Sequence, residues 1–191
     1  VFYAALGRWG PLAFGVLLVG LFLWGAWRDA RANGQPLRAS YFAGMLAESV
    51  VLALLFGVVV GIITARLLGT LHALALAPMQ QLDAPTRLMV SLGAGLYEEL
   101  LFRVILVSGL AAFARVVCGF SPRVAGSFAV VLGAVIFSAF HYIGAYGDVF
   151  TVQSFVFRLI AGLFFSALYL LRGFGVVAWT HALYDVFLIF A

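Results

Sequence analysis

The chain alternates long apolar runs with short polar breaks, and six of the runs reach the length of a membrane span. A helix needs about 20 apolar residues to cross a bilayer. The predicted spans are residues 11–27, 41–65, 85–110, 124–143, 149–171 and 174–191. Residues 1–10 fit the end of a further, truncated N-terminal helix, and residues 66–84 fit an interfacial helix followed by a turn.

The composition supports a membrane protein. Of the 191 residues, 65% are hydrophobic and 9% are charged, against about 45–50% and about 25% in soluble domains. Because an open chain in lipid satisfies its backbone groups only as helix, we predict an all-α polytopic bundle. We treat residues 1–191 as one integral-membrane domain in contact with the lipid bilayer. The net charge of +4 comes from scattered arginines, which favours membrane topology over a nucleic-acid partner.

Ionisable residues inside the predicted spans are the strongest indication of chemistry. Each costs about 2.5–3.5 kcal/mol at mid-bilayer when it is unpaired. We therefore expect them to face the bundle interior and to find partners. For two of them, Glu48 and Arg158, we favour a pairing role across helices. The full set within the spans is Glu48, Glu98, Glu99, Arg103, His141, Arg158, His181 and Asp185.

The spacing of these residues predicts which of them share a helix face. Glu99 and Arg103 are four residues apart and are placed for an ion pair. Glu98 lies about 100° away around the same helix. It is therefore the carboxyl group left free to take a proton from water. His181 and Asp185 are also four residues apart on one face of the last span.

Three short motifs in this region resemble those of the CAAX protease and bacteriocin-processing family, also called the abortive-infection family, which includes the type II CAAX prenyl endopeptidases. The first is Glu98-Glu99-Leu-Leu-Phe-Arg103, the second Phe137-Ser-Ala-Phe-His141 and the third His181-Ala-Leu-Tyr-Asp185. The resemblance covers residues 92–187. It is specific because the three motifs occur in order, each on an apolar span.

The resemblance implies an intramembrane endopeptidase that acts on a peptide or protein with a membrane-associated or C-terminal tail. Glu98 would be the general base that activates water, assisted by His141. His181 would stabilise the oxyanion, and Glu99 with Arg103 would be a buried support pair. No cofactor is needed for such a glutamic mechanism. Since many family members act in bacteria, we expect the bacterial plasma membrane.

The third motif departs from the family pattern. The prenyl endopeptidases carry Asn where this chain has Asp185, and an ionised carboxylate cannot donate to an oxyanion. We therefore expect Asp185 to accept a hydrogen bond from His181 and to orient its ring. The departure also puts a prenylated protein substrate in doubt.

Three alternatives remain open from the sequence. In a zinc-dependent version of the protease, Glu98, His141 and His181 would be metal ligands, with Glu99 or Asp185 as the base. A non-catalytic immunity or scaffold protein would keep the same fold without the chemistry. A small proton-coupled transporter would use the same carboxylates and histidines, but it would more often show an internal repeat.

Overall fold

The computed structural model describes residues 38–69, 83–144 and 147–190, together with nine scattered positions between 16 and 34. The chain divides into two compact units, Val1–Phe42 and Ala43–Ala191. In the first unit, the Arg28 guanidinium lies 5.6 Å from the centre of the Trp24 ring, and Arg31 lies 4.3 Å from that of Trp27. The candidate site is built entirely within the second unit.

The described elements are all helical. In chain order they are α1 (Ala39–Leu68), α2 (Ala84–Glu99), a π-helical segment (Leu100–Val107), α3 (Ser108–Val116), α4 (Pro122–Phe140), α5 (Val152–Arg172) and α6 (Phe174–Phe190). The three elements from Ala84 to Val116 follow one another without a break. The all-α prediction is confirmed for the part of the chain that the structure describes.

Local sequence explains where several of these helices begin and end. Pro85 and Pro122 lie in the first turns of α2 and α4, where a missing backbone N–H costs nothing. At the start of α5, the Thr151 hydroxyl accepts a hydrogen bond from the backbone N–H of Ser154. Gly173 separates α5 from α6 with a φ of 82°, a conformation that glycine adopts without strain.

Three described helices are long and apolar enough to cross a membrane: α1, α4 and α5. They correspond to the predicted spans 41–65, 124–143 and 149–171. The span predicted at 174–191 is the shorter apolar helix α6. The span predicted at 85–110 falls on α2, the π-helical segment and the start of α3, and α2 by itself has 16 residues. The count of six spans is therefore not confirmed, although the protein is an integral membrane protein.

Two predicted N-terminal elements and the interfacial segment fall largely outside the described residues. This applies to residues 1–10, to most of the span at 11–27, and to 70–82 of the segment predicted at 66–84. The start of that segment was predicted wrongly, because Arg66 lies in the last turn of α1. The apolar run extends through Leu67 and Leu68, so the helix continues past the arginine.

Close helix contacts at two glycines position the site. A Cβ atom on Gly95 of α2 would lie 2.5 Å from the backbone nitrogen of Ala182 in α6. One on Gly162 of α5 would lie 3.0 Å from the Cα atom of Ala134 in α4. Small residues let membrane helices approach in this way. Phe56 of α1 joins a core cluster with Phe165 and other buried residues of α5 and α6.

Candidate active site

The structure brings the three motifs together, although they lie on separate helices. Glu98 and Glu99 end α2, and Arg103 follows in the π-helical segment. His141 is the residue immediately after α4, and His181 lies in α6. The Oε2 atom of Glu98 lies within 4 Å of ring nitrogens of both histidines, as described below. Glu98, His141 and His181, one from each motif, therefore lie close together in the structure.

Glu99 and Arg103 form a fully buried ion pair. The Nε atom of Arg103 lies 3.0 Å from Oε2 of Glu99, and both side chains have 0% exposure. The arginine cation also lies 4.6 Å from the centre of the Phe137 ring and 5.7 Å from that of Phe165, within the range of cation–π attraction. The pairing predicted from the four-residue spacing is confirmed.

Glu99 also holds the ring of His181, a contact that the sequence did not predict. The Nδ1 atom of His181 lies 2.8 Å from Oε1 of Glu99, and because a carboxylate only accepts, Nδ1 is the donor. The Phe165 ring stacks on the imidazole at 4.5 Å and 22°. One carboxylate thus binds the Arg103 cation through one oxygen and orients His181 through the other.

The prediction that Asp185 would hold the His181 ring is wrong. The distance from Oδ2 of Asp185 to Nε2 of His181 is 3.7 Å, too long for a direct hydrogen bond. The other ring nitrogen, Nδ1, is bonded to Glu99. The packing of α2 against α6 places Glu99 there. Asp185 instead faces the free Nε2 atom of His181 across a gap that a water molecule can bridge.

Glu98 points away from the buried pair, as its helical position predicted. Its Oε2 atom lies 3.7 Å from Nε2 of His141 and 3.9 Å from Nε2 of His181. The Glu98 side chain is 24% exposed, whereas Glu99 is completely buried. Two adjacent glutamates therefore occupy different surroundings, one enclosed and bonded, the other open and facing two imidazoles.

His141 has a defined tautomer when it is neutral. Its Nδ1 atom lies 2.8 Å from the backbone carbonyl oxygen of Phe137. A carbonyl only accepts, so Nδ1 carries the hydrogen and Nε2 keeps a lone pair. The Phe137 ring packs edge-on against His141 with ring centres 4.8 Å apart. The second motif thus fixes its own histidine through both the backbone and the side chain of Phe137.

The two residues for which a pairing role was favoured both have partners. Arg172 binds Glu48 through two hydrogen bonds of 2.6 Å each, so α1 is joined to the end of α5. Arg158 binds Asp148 and two hydroxyl groups near the turn after His141. The first pairing crosses helices as predicted, whereas the Asp148 partner of Arg158 lies in a loop.

The same three side chains also define the zinc alternative. Glu98, His141 and His181 offer one oxygen and two imidazole nitrogens of the kinds that zinc prefers. Within the ranges that the structure describes, no group of three or more His, Cys, Asp or Glu side chains meets the geometry of a metal site.

Comparison with known proteins identifies a family for this chain. A family model described as Type II CAAX prenyl endopeptidase Rce1-like matches residues 80–187, which is more than half of the chain. No curated protein and no solved structure gives a significant match. The matched range includes all three motifs and every residue of the geometry described above except Glu48.

Proposed function

The chain belongs to the family described as type II CAAX prenyl endopeptidase Rce1-like, and from this premise we propose that it hydrolyses a peptide bond with water activated by Glu98. Membership of the family makes it a protease, and its apolar helices make it an integral membrane protein. In the proposed mechanism, His141 assists Glu98, and His181 stabilises the oxyanion of the tetrahedral intermediate.

The gap between Glu98 and His141 carries this proposal. Ionised Glu98 is an acceptor, and Nε2 of neutral His141 is also an acceptor because Nδ1 holds the hydrogen. Two acceptors 3.7 Å apart do not bond directly, but a water molecule can donate one hydrogen to each. Such a water keeps its lone pairs free for attack, which is what general-base catalysis of hydrolysis requires.

His181 is suited to donate a hydrogen bond, whereas Glu98 and His141 accept hydrogen bonds from water. Because Nδ1 donates to Glu99, an imidazolium form of His181 presents its second hydrogen at Nε2. That atom faces the same space as Glu98 and Asp185, at 3.9 Å and 3.7 Å from their oxygens. A fixed charged donor at this point would stabilise the negative oxygen that develops on the substrate carbonyl. The Arg103 cation, 3.0 Å from the other oxygen of Glu99, balances the charge of that carboxylate.

The reaction balances with these groups alone. The water oxygen bonds to the carbonyl carbon while one water proton passes to Glu98, and the carbonyl electron pair becomes an oxyanion near Nε2 of His181. When the intermediate collapses, the C–N bond breaks. The leaving amine takes the proton from Glu98, which restores the carboxylate for the next cycle. The products are a new carboxyl terminus and a free amine.

The substrate we propose is a peptide or protein whose tail is held in the membrane, and the compartment is the bacterial plasma membrane. The family's printed description names CAAX prenyl endopeptidases, and the open face of Glu98 lies among apolar helices. A farnesylated peptide is therefore the first probe to use. A non-catalytic scaffold would not require the opposed acceptors at Glu98 and His141.

The test compares two membrane glutamates in the purified protein. Glu98→Gln should abolish cleavage of a fluorogenic peptide with a farnesylated Cys followed by three C-terminal residues, because an amide cannot accept the proton of water. Glu48→Gln is the control, since Glu48 binds Arg172 away from the site, and it should keep activity. Full activity of Glu98→Gln would overturn the proposal.

The same assay tests the zinc alternative. The metal-free mechanism predicts unchanged cleavage after treatment with a strong chelator, and no stoichiometric zinc in the purified protein. Activity that is lost with chelator and restored by zinc would replace the glutamate mechanism by the metalloprotease one.

A further inference from the structure

The position of His141 depends on more than its own helix. His141 follows the last residue of α4, so its backbone is no longer held by the full set of helical hydrogen bonds. Its ring is tied to the Phe137 carbonyl, but the turn that carries it needs further support. That support comes from two residues farther along the chain.

The first support is a backbone contact between the two ends of the loop. The N–H group of Asp148 donates to the carbonyl oxygen of His141 at 2.9 Å. The carbonyl accepts no other backbone hydrogen bond among those that the structure gives for this turn. Whatever holds Asp148 therefore also holds the backbone of His141.

The second support is the side chain of Arg158, which binds three groups around this turn. One terminal nitrogen, Nη1, donates to the Tyr142 hydroxyl at 3.1 Å and to the Ser154 hydroxyl at 2.6 Å. The other, Nη2, donates to the Asp148 carboxylate. The Tyr142 hydroxyl also donates to Ser154 at 2.8 Å, so the four side chains form a closed network.

Arg158, at the centre of this network, is mostly buried, although its partner Asp148 is 44% exposed. The Arg158 side chain is only 14% exposed, and its cation lies 5.4 Å from the centre of the Tyr142 ring. Hydrogen bonds to a charged donor are about twice as strong as neutral ones. The planar fork of an arginine also fixes direction in a way that the single ammonium of lysine cannot.

From these contacts we infer that Arg158 is a positioning residue for the proposed general-base pair, acting on His141 through Tyr142 and Asp148. Tyr142 is the chain neighbour of His141, and Asp148 holds its carbonyl. Arg158 thus fixes the gap between His141 and Glu98 without touching either. The expected effect of Arg158 on catalysis rests on the proposed function. Its effect on the position of His141 does not depend on that function.

The test replaces Arg158 by lysine, with a matched control on the same helix. Arg158→Lys keeps the charge but loses the fork, and we expect kcat for the farnesylated peptide to fall about tenfold with KM unchanged. The control is Arg172→Lys, which weakens the ion pair with Glu48 at the other end of α5 and should leave both constants unchanged.

A second readout needs no activity. Diethyl pyrocarbonate modifies accessible imidazoles, and mass spectrometry gives the rate at each histidine. Arg158→Lys should raise the rate at His141 severalfold and leave the rate at His181 unchanged, because Glu99 holds that ring. If the wild type cleaves no peptide, the proposed function fails while this measurement still tests the positioning role.

The inference is overturned if Arg158→Lys has wild-type kcat and a wild-type rate of His141 modification. It is also overturned if Arg172→Lys lowers kcat equally, since both changes would then act through general stability. Should Arg158→Lys fail to fold, Asp148→Ala and Tyr142→Phe each remove one hydrogen-bond partner of the guanidinium. Both variants are expected to lower kcat and to raise the rate of His141 modification, each by less than Arg158→Lys does.

Discussion

Two arginine–glutamate pairs in this protein have the same chemistry but opposite surroundings. Arg103 and Glu99 lie 3.0 Å apart at the centre of the site, and both side chains are completely buried. Arg172, at the end of α5, binds Glu48 of α1 through two bonds of 2.6 Å, with exposures of 54% and 33%. Judged by distance alone, the second pair is the better one.

The comparison shows that burial, not distance, decides what a pair does. A partner lost from an exposed pair is replaced by water, so little changes. A partner lost from an enclosed pair leaves a buried charge that water cannot reach. The enclosed pair also has a third member, because Glu99 orients His181. Its role therefore extends from stability to the geometry of the site.

The largest expected effect is on stability, when the arginine of each pair is replaced by alanine. Arg103→Ala removes the cation beside the buried Glu99 carboxylate and leaves only the hydrogen bond from His181, so it should lower the free energy of unfolding by about 3–5 kcal/mol. Arg172→Ala should change it far less. Denaturant titration of both variants in the same detergent measures the difference. Equal losses in the two variants would contradict the distinction by burial.

The next effect concerns the helix contact that places Glu99 beside His181. Gly95→Ala puts a methyl group 2.5 Å from the Ala182 backbone, so α2 must move away from α6. We expect a loss of about 1–3 kcal/mol in stability and a clear loss of cleavage activity.

Gly93→Ala is the matched control for that variant. Gly93 lies two residues earlier in the same helix, and a Cβ atom there would meet nothing within 4 Å. Its stability and activity should equal those of the wild type or rise slightly, since alanine favours helix. A wild-type phenotype for both variants would show that the helix contact does not position the site.

Contacts within one helix could be predicted from the sequence, and contacts between helices could not. The Glu99–Arg103 pair and the separate direction of Glu98 follow from helical spacing alone. The bond from Glu99 to His181 joins residues 82 positions apart. It depends on how closely α2 and α6 approach at Gly95, and no periodicity in either segment gives that distance.

Two further features had no usable signal in the sequence. The π-helical segment at Leu100–Val107 has the same apolar composition as an ordinary helix, so its wider turn is not visible in the pattern. The network around Arg158 depends on the path of the loop after His141. The three motifs themselves did indicate the site, because buried ionisable residues in apolar spans need partners.

The smallest expected effect refines the role of Asp185. Because Glu99 holds the His181 ring, Asp185→Asn should reduce kcat/KM by less than about tenfold. The amide still faces Nε2 of His181 and can bind the same bridging water. Asp185→Ala, which removes the polar group, should cost more. A loss for Asp185→Asn as large as that for Glu98→Gln would make Asp185 part of the reacting set.

The central claim is that the adjacent glutamates have separate tasks, and one paired measurement tests it. Glu98→Gln and Glu99→Gln are compared for peptide cleavage and for unfolding under identical conditions. We predict that Glu98→Gln unfolds like the wild type but does not cleave, whereas Glu99→Gln is clearly less stable. The opposite pattern, an active Glu98→Gln and a stable but inactive Glu99→Gln, would contradict the account.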